Sequence, residues 1–248
     1  AERFAPSAGW FVDTMAAVFE AAGDAAPRSL VHDLLALLAD GAGDGDDAAD
    51  AELRAAAAGR CLAVVGEPEA AARASGRLLT VVAWVLGEYG HLAPPAVNPG
   101  GVPAVIEALA RAAEAPAATA DTPGGEEVRA MLVSAVVKLA GRARLASLPP
   151  GGAALLRSAE LSRSTEVATR AAEARFLLPA LGGGLPAALV EAALPSRDGL
   201  AAALGGAAQP QALDPALPAL DAYVADALAA GTASPYLSVA EREARGLV

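Results

Sequence analysis

Residues 76–89 read Gly-Arg-Leu-Leu-Thr-Val-Val-Ala-Trp-Val-Leu-Gly-Glu-Tyr, and no other stretch restricts the fold so strongly. Leu78, Leu79, Val81, Val82, Trp84, Val85 and Leu86 cover more than one face of a helix, and Glu88 is the only charge after Arg77. A helix that is apolar on nearly every side has to be buried on nearly every side. It therefore needs neighbours all round, and the composition says which kind. Of the 248 residues 69 are Ala, while aromatics make up 4%. Alanine has the best intrinsic helix propensity. A β-sandwich would want Val, Ile, Thr and Tyr in alternation, which is missing. The neighbours are expected to be helices, with Leu and Val packing and Ala letting backbones approach.

Periodicity supplies those helices. Phe11, Met15 and Phe19 fall at i, i+4 and i+8 and predict a helix over 10–22, stopped by Gly23-Asp24. A leucine-rich helix is expected over 28–39. The turn Gly41 to Asp47 then sets carboxylates just before a helix over 48–65, where they complement its dipole, and Glu67-Pro68 closes that helix. Pro94-Pro95 and Asn98-Pro99-Gly100 mark a loop before a helix over 102–114. Thr122 as N-cap, Pro123 at the first position and Glu126 and Glu127 in the first turn announce the next helix. Shorter helices are expected over 153–161 and 164–178, the second capped by Ser164 with Glu166 near its dipole. After Gly182-Gly-Gly184, Pro186, Pro195, Pro210, Pro215 and Pro218 cut the chain into short pieces. Residues 185–248 read as a poorly structured tail with short helices near Leu189 and over 219–228. Helices of this length, paired by short turns at a spacing near 40 residues, predict an all-α solenoid of stacked hairpins, HEAT/armadillo-like, over 10–181. Residues 182–248 are the expected tail or hinge.

The formal charge of −11 disfavours nucleic acid and a purely electrostatic hold on anionic membranes. Lys138 is the sole lysine among 18 basic residues. With one cysteine, Cys61, no intrachain disulfide is available, which fits a reducing cytosolic compartment. Mean hydropathy is +0.40, yet Arg, Glu or Asp interrupts every candidate membrane span. The opening Ala1-Glu2-Arg3-Phe4 has no initiator Met and no signal-peptide pattern, so a segment of a longer protein is expected.

Candidate chemistry is sparse. Asp44, Asp46, Asp47 and Asp50 lack the Gly at position six and the Glu at twelve of an EF-hand, and read as a solvated turn. His32 and His91 are far apart with no second ligand at i+4, which argues against a metal site. Cys61 lies in an apolar helix, where packing is the expected role. Gly182-Gly-Gly184 is a breaker, since neither a preceding strand nor a following Lys-Ser/Thr makes a phosphate loop. No catalytic constellation, cofactor site or metal site is predicted. Trp84, Gly87, Glu88, Tyr89 and Gly90 are expected to be structural. Trp84 packs between repeats, and Tyr89 finds a partner for its hydroxyl. Glu88 holds the following loop by accepting backbone N–H groups, and Gly87 and Gly90 allow close packing and a C-cap.

The segment Val81 to Gly90, ending Trp84-Val-Leu-Gly-Glu-Tyr-Gly90, closely resembles a helix end of the adaptin large subunits of vesicle-coat adaptor complexes. Trp10 to Asp24 is similar to another helix of that family. His32-Asp-Leu-Leu-Ala-Leu-Leu-Ala-Asp-Gly41, the acidic turn, Leu53 and Glu67-Pro68 follow in the order of the epsilon-type subunit of the fourth adaptor complex. Ser164-Thr165-Glu166 and Arg170-Ala-Ala-Glu173 resemble a later repeat. The likeness spans about residues 10–180; Ala and Gly replace many bulkier family residues, and residues 185–248 have no counterpart.

The resemblance implies a curved trunk, here its C-terminal half, that is nonenzymatic. It would pair with a beta-type large subunit and embrace medium and small chains. A small GTPase and cargo would act through the assembled coat, peripheral on trans-Golgi network or endosomal membranes. Two other classes stay open from the residues themselves. One is an unrelated helical-repeat scaffold of the transport-factor or phosphatase-regulator type, which would need no obligate partners. The other is a helical enzyme, for which His, Cys, Lys and Tyr are scarce.

Overall fold

The computed structural model describes residues 6–41, 47–183, 189–190 and 193–194. Among them there are ten α-helices and no strand. In chain order these are α1 (Ala8–Ala22), α2 (Arg28–Asp40), α3 (Asp47–Gly66), α4 (Pro68–Arg73), α5 (Gly76–Tyr89), α6 (Gly101–Ala112), α7 (Pro116–Thr119), α8 (Pro123–Arg142), α9 (Pro150–Glu160) and α10 (Thr165–Leu177).

The long helices form two layers. In one, α1 packs on α3, α3 on α6 and α6 on α9; in the other, α2 packs on α5, α5 on α8 and α8 on α10. Between the layers α3 pairs with α5, α6 with α8 and α9 with α10. The result is a stack of helical hairpins, with α4 and α7 as short bridges inside the middle two. Helices α5 and α8 of the second layer run parallel to one another, as a repeat requires. A Cβ on Gly76 would lie 3.6 Å from Val128, and one on Gly87 would lie 2.9 Å from Ala135. These helices begin at Arg28, Gly76, Pro123 and Thr165, so the repeat is longer than the expected 40 residues. The two bridges account for the difference.

The bounds of α5 are those expected, and ten of its residues are buried. It touches α1, α2, α3, α6, α7 and α8. Leu79, Val82, Val85 and Leu86 are each 0% exposed, on the order of 1.5–3 kcal/mol apiece before conformational entropy is set against it.

Local chemistry explains the helix ends. Ser7, Ser75 and Thr122 accept from the N–H of Trp10 (3.2 Å), Leu78 (3.2 Å) and Gly125 (3.1 Å). Other caps come from distant residues. Asp24 Oδ1 accepts from Arg77 N–H at 3.1 Å, and Glu107 Oε1 accepts from Gly151 N–H at 3.0 Å, serving α9, whose N-cap Pro149 has no side-chain acceptor. Gly23 and Gly41 end α1 and α2 with φ of 56° and 77°.

Two local expectations need correction. Pro68 follows the end of α3 as foreseen, but it occupies the first turn of α4, where its missing N–H costs nothing. Pro116 opens α7 in the same way. Ser164 stands at the N-cap of α10 without capping it: its side chain makes no cap bond, and its own N–H donates to Ser162 Oγ at 3.2 Å. Leu189 and Val190 are helical, while Gly184 and residues 219–228 lie outside the described residues. Val190 and Leu194 are buried, and a Cβ on Gly141 would meet both.

Candidate interaction site at the end of the central helix

Trp84, Gly87, Glu88, Tyr89 and Gly90 gather where α5 meets its neighbours. Gly87 marks the tightest approach: its imaginary Cβ would sit 2.9 Å from the Cα of Ala135. At that separation the backbones of α5 and α8 nearly touch. Gly90 is the C-cap, with an ordinary right-handed φ of −58°, and its N–H donates to Leu86 O. A Cβ there would lie 3.1 Å from Val105, so space rather than conformation favours glycine.

Glu88 is 4% exposed and does not hold the following loop as expected. Its carboxylate faces α8, where Lys138 Nζ donates to Oε1 and Arg142 Nη2 donates to Oε2 at 2.6 Å. Arg142 Nη1 also donates to Gly87 O (3.0 Å) and Glu88 O (3.2 Å), satisfying carbonyls that the end of α5 leaves free. Its Nε reaches Leu194 O at 3.4 Å. Burial alone pushes the Glu88 carboxyl up. The hydrogen bonds and charges of Lys138 and Arg142 more than reverse this and hold it below its ordinary value.

Tyr89 is 0% exposed, and its hydroxyl donates to Leu38 O at 3.1 Å. Arg54 joins it there, donating from Nε to Leu38 O (2.9 Å) and from Nη2 to Ala39 O (3.0 Å), with the guanidinium 5.5 Å from the Tyr89 ring centroid. The C-terminus of α2 is thus closed by one arginine and one tyrosine from two other helices. Trp84 meets Tyr89 edge-on at 5.8 Å, but it is only partly buried and does not sit wholly between repeats. Its open side lines a groove of about 460 Å³ along α5, walled by Val31, His32 and Leu35 of α2 and by Glu127 and Met131 of α8.

Periodicity missed Lys138, Arg142 and Arg54. The available signal was the lone lysine, four residues before Arg142 on a helix otherwise striped with Leu132, Val136 and Leu139.

The other candidates stay apart. His32 and His91 are both exposed, on α2 and in the turn Gly90–Leu92. Asp47 and Asp50 lie in the first turn of α3; Asp44 and Asp46 lie outside the described residues. Burial pushes the Cys61 thiol up to about 12, against a smaller opposing pull from Arg60, so it is a protonated packing group at neutral pH. Among the described residues no His, Cys, Asp and Glu cluster of three or more suits a metal ion. No described helix is long and apolar enough to cross a membrane.

No protein-family model matches the chain. No solved structure matches it either. Curated relatives do. The chain is 33% identical over 251 aligned residues to the AP-4 complex subunit epsilon of Arabidopsis thaliana, an alignment covering 100% of this chain and 24% of that protein. It is 37% identical over 97 residues to AP-4 complex subunit epsilon-1 of Homo sapiens, and 37% over 92 residues to that of Mus musculus, 8% of each. The chain therefore spans about a quarter of the plant relative's length, and residues 185–248, expected to have no counterpart, are included in that alignment. By sequence it is a homologue of the epsilon-type large subunits of adaptor complexes, matched along its whole length to one part of such a subunit.

Proposed function

We propose that the chain is part of a scaffold subunit of a heterotetrameric adaptor complex, and that its work is assembly rather than catalysis. The observation that carries this is the end-to-end match to a plant epsilon subunit. The stack of hairpins supports it, because such a stack presents long helix faces to other chains. In this reading residues 10–181 form a HEAT/armadillo-like trunk segment, and residues 182–248 a hinge or tail. The partners are a beta-type large chain, a medium chain and a small chain. A small GTPase and cargo engage the assembled complex, which acts in vesicle-mediated transport from the trans-Golgi network and endosomes, peripheral to the membrane. Trp84, Gly87, Glu88, Tyr89 and Gly90 serve this function by holding three successive second-layer helices in register.

The test is co-expression with the candidate beta-type, medium and small adaptor chains of the same organism, followed by size-exclusion chromatography. Co-elution with the beta-type chain of the fourth complex, and not with that of a gamma-containing complex, is the expected result. A well-behaved lone chain that ignores every adaptor partner would sink the reading.

A further inference from the structure

We draw no further inference here: the strongest candidate, the surface of α9 and α10 where the exposed Leu161 and Phe176 flank the Glu160–Arg175 ion pair, is an unpartnered apolar face, and nothing in the structure shows what covers it.

Discussion

Glu88 carries a charge at 4% exposure, so the two cations that meet it decide whether its burial helps or harms the fold. Lys138 and Arg142 share its two oxygens, and removing the carboxylate would strand both near the end of α5. Breaking a buried pair typically costs ~3–5 kcal/mol. Lys138 is 34% exposed and can turn to water, so Glu88→Gln is expected to cost about 2–3 kcal/mol in urea unfolding. The pH dependence has a definite sign. The folded-state pKa of Glu88 lies below its unfolded value, so its contribution is present above about pH 4.5 and is lost as pH falls through the folded value. In Glu88→Gln the fall in stability below that pH should be shallower than in the parent. Parallel acid-limb curves would show that the triad is not the source. The sequence showed that Glu88 was unusual, a lone charge on an apolar helix, but its partners stand fifty residues or more away on a helix whose pairing with α5 no local pattern encodes.

At the scale of elements, helix contacts are set by how closely backbones approach, and two glycines separate propensity from packing. Gly59 is in the interior of α3, where a Cβ would make ordinary contacts at 3.6 Å with Pro94 and 3.8 Å with Val97. Gly59→Ala is therefore expected to raise stability by about 0.5–1 kcal/mol, through propensity alone. Gly87→Ala gains the same term. Against it, the new methyl collides with the Cα of Ala135, and backbone atoms there cannot turn aside. Overpacking costs about 1–3 kcal/mol, so the net effect should be a loss and the thermal midpoint should fall. Two midpoints moving in the same direction would mean that α5 and α8 can separate freely. Element bounds were largely legible, because Ser75, Thr122, Pro123 and Gly23 act on their own helices. The bridges α4 and α7 were not: at six and four residues they are too short to show a period.

For the molecule as a whole, a stack of hairpins is stable in proportion to the neighbours each hairpin has. Helices α5 and α8 have hairpins on both sides, whereas α1 and α2 are covered from one side within the described residues. Hydrogen exchange followed by mass spectrometry should find peptides from α5 and α8 protected longest, and those from α1 and α2 opening first. Equal protection throughout would show one cooperative unit in place of nearest-neighbour coupling.

Composition and periodicity were enough to determine an all-α chain with a helix over 76–89 that is buried on nearly every side, because propensity and hydrophobic spacing act within a few residues of themselves. They also carried the adaptin likeness, since that motif is contiguous. Only the tertiary structure decided what Glu88, Tyr89 and Trp84 do. Lys138, Arg142, Arg54 and the wall of α2 reach them from far along the chain, and a charge or an indole has no fixed role until its neighbours are in place. The same reason explains the caps supplied by Asp24 and Glu107, and the groove along α5.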